Sequence, residues 1–102
     1  MTRDGVIGWL AGRTPAPPAG LGARVRGAVS DTDAPLPPLP ERLVQLGRDL
    51  LGRVAARPAG GRELALDLLA ADAFVTYAFE AQAEVDVAQL VALAERVAGE
   101  PA

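Results

Sequence analysis

Apolar residues recur at helical spacing along almost the whole chain, and the interruptions divide it into segments. Val6, Ile7, Trp9 and Leu10 repeat with a helical period over residues 3–12. Thr14-Pro15-Ala16-Pro17-Pro18 ends that segment, because proline lacks the amide hydrogen a continuing helix needs. Pro18 suits the first turn of a second helix, in which Leu21, Val25 and Val29 follow as one narrow stripe. Gly20, Gly22 and Gly27 each weaken that helix by about 1 kcal/mol relative to Ala, so it is expected to form by docking on its neighbours.

After Ser30-Asp31-Thr32-Asp33, the prolines at 35, 37, 38 and 40 exclude helix and central strand and predict an extended polyproline spacer over 34–40. The segment Pro37–Arg42 also has the P-x-x-P-x-R spacing of SH3-domain ligands, but so short a pattern arises readily by chance in a Pro/Arg-rich chain, and the expected reading is a spacer whose Pro40 opens a helix. The third helix, from Pro40 or Glu41 to Arg57, is the most clearly two-faced. Leu43, Leu46, Gly47, Leu50, Leu51 and Val54 share one side; Arg42, Gln45, Asp49, Gly52 and Arg53 share the other, with Asp49 and Arg53 set for an i, i+4 pair. Pro58 and Gly60-Gly61 make a tight connection, which predicts that helices three and four are antiparallel neighbours.

The fourth helix, from about Arg62 to Ala83, is apolar around most of its circumference, with Asp72, Thr76 and Glu80 as one thin polar stripe. Such a helix is the centre of a bundle or an oligomer interface. The last helix carries a start signal in Asp86 as N-cap, Gln89 as its capping-box partner and Val85 with Leu90 as a hydrophobic staple. Val87, Leu90, Val91, Ala94 and Val97 are its expected apolar face, and Gly99 its end. No alternating run predicts a strand. The pattern therefore predicts an all-α protein, a small four- to five-helix bundle forming a single domain. It comprises short N-terminal helices over 1–33, a Pro-rich linker over 34–40 and a three-helix core over 41–99.

Composition narrows the chemistry. The 102 residues include no Cys, His, Lys or Asn, which excludes thiolate and imidazole catalysis, lysine Schiff bases, zinc fingers and disulfides. A non-enzymatic protein without a cofactor or metal is the expectation. All ten positive charges are Arg, a bias that GC-rich, bacterial-like coding produces without selection for function. Residues 1–60 hold eight Arg against five acids and residues 61–102 two Arg against eight acids. Such a two-ended distribution steers the halves onto each other or onto a second copy, unless the faces are merely solvated. The net charge of −3 and the scarcity of aromatic residues argue against nucleic-acid binding. No apolar run reaches the roughly 20 residues of a membrane span, and Met1-Thr2-Arg3-Asp4 does not open a signal peptide, so a cytoplasmic location is expected.

Three constellations remain. Glu63 with Asp67, and Asp72 with Glu80, are carboxylates at helical spacing, but they fall short of the ligand number a hard cation needs. Asp67 lies at the angle of Phe74, Ala78 and Ala81, within the apolar face of helix four. Its place close to the helix start makes partial exposure the expectation; if buried, it requires a partner, for which Arg48 or Arg53 on the neighbouring helix, or a ligand or second subunit, is the candidate. Phe74, Tyr77 and Phe79 are three of the four aromatic residues and fall within six positions. Together with Leu66 and Ala78 they are candidates for an interface or an apolar groove, although aromatic residues at this spacing also simply fill cores.

The stretch Leu68-Leu69-Ala70-Ala71-Asp72-Ala73-Phe74-Val75-Thr76-Tyr77-Ala78-Phe79-Glu80 resembles a helix of the polyprenyl (isoprenyl) diphosphate synthases that reads approximately L-L-A-G-D-A-L-L-T-x-A-F-E. The resemblance covers about an eighth of the chain. Those enzymes are all-helical and use two Asp-rich magnesium-diphosphate motifs, neither of which is present here, and Ala71 stands where the family has Gly. What the resemblance implies is a packing role for the helix, or a non-catalytic small subunit. Two functions follow as expectations: a helical protein acting through self-association, as a homodimer, or by contact with another protein; and an accessory subunit or carrier whose apolar groove takes an isoprenoid-like or acyl ligand.

Overall fold

The predicted helical periods appear as five segments in the computed structural model, which describes residues 2–29, 37–56 and 60–99. They are α1 (Arg3–Ala11), α2 (Ala19–Ala28), α3 (Leu39–Ala55), α4 (Arg62–Asp86) and α5 (Leu90–Gly99), with a 3₁₀ turn at Val87–Gln89. Among the described residues there is no strand, and no helix is long and apolar enough to cross a membrane. Residues 34–36 of the expected linker lie outside the described residues, as do residues 57–59 between α3 and α4.

Local chemistry explains the ends. The Thr2 hydroxyl accepts a hydrogen bond from the Gly5 amide at 3.0 Å and caps α1. Helix α3 starts at Leu39, one residue ahead of expectation, because a proline in the first turn needs no amide donor and Pro40 falls there. Gly61 precedes α4 at φ 127°, a conformation that a Cβ would strain. Helix α4 passes its expected end at Ala83, since nothing in Glu84 or Val85 breaks a helix, and it continues to Asp86. There the Asp86 carboxylate accepts from the Ala88 amide at 3.1 Å, so the predicted cap opens a 3₁₀ turn that leads into α5.

Helix α4 is the central element, packed against α2, α3, α5 and the 3₁₀ turn. Its buried side presents Ala70, Ala71, Phe74, Ala78 and Ala81, and one core cluster joins these to Val6 and Leu10 of α1, Val25 of α2, Leu43 and Leu46 of α3 and Leu93 of α5. Packing is tight at Gly47, where a Cβ would lie 3.1 Å from the Ala71 carbonyl oxygen and 3.2 Å from Phe74 Cβ. Gly47 opposes residues 71–75, while Leu50 and Arg53 share a cleft with Asp67, so α3 and α4 run antiparallel.

Two faces differ from the sequence pattern. Arg42 is buried and Leu51 exposed, because α3 turns the flank carrying Leu39, Leu46 and Leu50 inward and Arg42 sits at its edge, where an arginine stem packs. On α5 the buried side carries Leu93, with Val97 packed against the core, whereas Val87, Val91 and Ala94 are exposed. Apolar residues occupy both sides of α5, so periodicity alone did not choose the inner one.

The uneven charge distribution operates within the chain. Arg13 of α1 meets Glu80 at 3.0 Å and Glu84 at 2.8 Å on α4. Arg24 of α2 meets Asp67 at 3.3 Å and also Glu63, and Arg96 of α5 meets Glu41 of α3 at 3.4 Å. Each of these pairs joins the first 60 residues to the rest. Exposed pairs contribute little individually, so their effect is to set register. Glu84 has the tightest set, accepting from Arg13 and, at 2.9 Å, from the Trp9 indole, which also stands edge-on to Tyr77.

Those two hydrogen bonds, Arg13 first, lower the Glu84 pKa below its ordinary value. A carboxyl depressed by folding contributes stability that is present above its unfolded pKa and is lost as pH falls through the folded one. Acidification from about pH 5 is therefore expected to loosen the Arg13 and Trp9 contacts to Glu84 with only a small loss of stability, α1 staying anchored by Val6 and Leu10, and fluorescence of the single tryptophan reports that step. Glu84→Gln should abolish that low-pH step; persistence of the step in the variant would assign it to another carboxyl.

Candidate functional site

Helix α2 places Gly20, Ala23 and Gly27 at i, i+3 and i+7, on a face that carries almost no side chain. Its other positions, Val25 inside and Leu21 half-buried, hold it on the core. The bare face borders a cleft of about 450 Å³, walled on the α3 side by Leu50 and Arg53 and on the α4 side by Asp67. The space is open: a Cβ built on Gly20 or on Gly27 would meet no atom within 4 Å. These glycines are therefore not required for contact between α2 and its neighbours.

Asp67 is 2% exposed, buried within the apolar face of α4 rather than partly exposed as its nearness to the helix start suggested. Its Oδ1 faces the Arg24 guanidinium from across the cleft wall, and Arg24 also binds Glu63. Arg24 thus has carboxylates answering its charge. Arg53 is exposed and lines the same cleft, and among the described residues no carboxylate pairs with it, Asp49 included. The cleft therefore combines a short apolar surface, a fixed internal ion pair and one guanidinium free to bind an anion.

The other sequence candidates separate. Phe74 and Ala78 have no exposed surface and belong to the chain's own core, which removes them from any interface or groove. The reason is that α4 buries its Ala-rich side most deeply, and Phe74 is the one aromatic residue on that side. Tyr77 and Phe79 are half-buried against the core, and Tyr77 contacts Trp9. Leu66 is half-buried outside the core cluster. The cleft beside α2 is lined by none of these residues. Asp72 and Thr76 are exposed and Glu80 turns to Arg13, and among the described residues no three acidic side chains converge as metal ligands would.

Sequence reasoning offered Arg48 or Arg53 as the partner of Asp67 and missed Arg24, which makes an ion contact with it. A signal existed in the i, i+3, i+7 spacing of Gly20, Ala23 and Gly27 opposite Val25, which reads as weak propensity when helices are considered singly. A comparison of the chain with protein-family models, curated proteins and solved structures found no match.

Proposed function

We propose that this chain is a small, non-catalytic helical protein that acts by association with a second copy of itself, through the outer face of its C-terminal helices. The observation that carries this reading is the exposure of Val85, Val87 and Val91, at 72%, 64% and 69%. In the rest of the described chain, valines at α1, α2 and α3 are buried. Val87, Val91, Ala94 and Ala98 follow at i, i+4, i+7 and i+11, and all are exposed. Val91, Ala94 and Ala98 thus form an apolar seam along α5, with Val87 of the 3₁₀ turn at its N-terminal end.

A second copy fits the seam best. Two such seams related by a two-fold axis meet apolar to apolar, and Ala94 and Ala98 let the backbones approach closely. Burying a valine fully contributes about 1.5–3 kcal/mol, so the exposed valines of two copies supply the scale of a stable dimer. The charges do not compete for this role, since Arg13, Arg24 and Arg96 are engaged within the chain.

Light scattering on the size-exclusion peak should give the mass of a dimer that high salt leaves intact, because an apolar seam is not screened. The double variant Val87→Lys/Val91→Lys should elute with the monomer mass and an unchanged helical circular dichroism spectrum, both positions being exposed within one chain. A monomer mass for the unsubstituted protein at every concentration would overturn the reading.

A further inference from the structure

We infer that the cleft between α2, α3 and α4 is a binding site for a small amphiphilic monocarboxylate, with Arg53 as the head-group ligand and the bare face of α2 as the seat of its apolar body. None of the lining residues lies on α5, so this site is separate from the seam proposed above.

The size fits, since about 450 Å³ is within the range of small-molecule clefts, roughly 300–1,000 Å³. The shape fits, because open space stands over Gly20 and Gly27 and a methyl or methylene of a ligand can rest there against backbone, beside Ala23 and Leu50. Charge decides the head group. Arg24 is answered by Asp67 and Glu63, which leaves Arg53 as the uncompensated cation, and its planar fork matches a carboxylate with two parallel hydrogen bonds. A phosphate monoester brings a second negative charge for which the cleft offers no second uncompensated cation, and that favours the monoanion. A cationic amphiphile meets the uncompensated Arg53 and is disfavoured.

Octanoate is the probe, titrated into the full chain by calorimetry and by amide shifts in heteronuclear NMR. Saturable binding is expected, with shifts concentrated on residues 20–28, 50–53 and 67. Octyltrimethylammonium, of equal chain length and opposite charge, and inorganic phosphate, a head group without a body, should each bind about tenfold more weakly or worse. Gly27→Leu fills the cleft where a Cβ meets nothing, and Arg53→Gln removes the head-group ligand. Each should weaken octanoate about tenfold or more while thermal melts stay at or above that of the unsubstituted chain for Gly27→Leu, as Gly to Leu improves a helix. Non-saturable binding, equal binding of the ammonium analogue, or octanoate affinity unchanged in Gly27→Leu would each overturn the assignment. Phosphate binding more tightly than octanoate would overturn the choice of a monocarboxylate.

Discussion

Phe74→Asp is expected to leave the chain unfolded, and Phe74→Ala to lower its stability by about 3–5 kcal/mol. Phe74 is the largest side chain without exposed surface, in a core otherwise built of Ala, Val and Leu. It packs against Gly47 of α3, with its Cβ 3.2 Å from the point a Cβ on Gly47 would occupy. The site cannot collapse around a smaller residue, because the α3 and α4 backbones already meet at Gly47. The cost therefore falls in the upper part of the range for aromatic truncation. A small domain has a total stability of about 5–15 kcal/mol, so a charge without a partner at this position exceeds what the fold can absorb. Urea titration followed by circular dichroism measures both variants. A Phe74→Asp chain that stays helical and melts cooperatively would show that α4 is solvent-accessible on this side, contrary to its central position.

The helical segments and most inner faces were legible in the sequence because proline clusters punctuate it and because α2 and α3 carry clear stripes. Val25 and Val29 are inside as the spacing requires, and so are Leu43, Leu46, Leu50 and Val54. Asp67 was recognised for the same reason, since a carboxylate at the angle of Phe74 and Ala78 breaks the pattern. What was not legible depended on long-range packing. Helix α4 is apolar nearly all round, so its sequence could not separate core from interface, and the candidate surface set mixed buried Phe74 and Ala78 with half-buried Tyr77 and Phe79. On α5, Val91 and Leu93 carry equal hydrophobic signal and opposite exposure. The cleft was hidden for a different reason. Its features are a helix face without side chains and a cation from a helix 43 residues away in sequence from Asp67, and neither produces a local motif.

Arg24→Met is expected to destabilise the chain by about 2–3 kcal/mol, more than Asp67→Leu does, and the double variant is expected to be more stable than Arg24→Met alone. The asymmetry follows from exposure. The Asp67 side chain is 3% exposed and that of Arg24 is 32% exposed, so removing the guanidinium takes a counter-charge from a carboxylate that water cannot reach. Removing the carboxylate leaves an arginine that is partly hydrated and still bound to Glu63. The figure lies below the about 3–5 kcal/mol of a fully buried pair because solvent already screens one partner. In the double variant both charges are gone, and apolar side chains of similar size replace them beside a cleft that has room for a methyl group. The desolvation cost of the pair then disappears with its attraction, which is why such replacements approach neutrality. Denaturant midpoints for the four proteins give the coupling directly. Costs that simply add, or an Asp67→Leu loss exceeding that of Arg24→Met, would mean that Arg24 is not the group that makes a carboxylate tolerable in the core of α4.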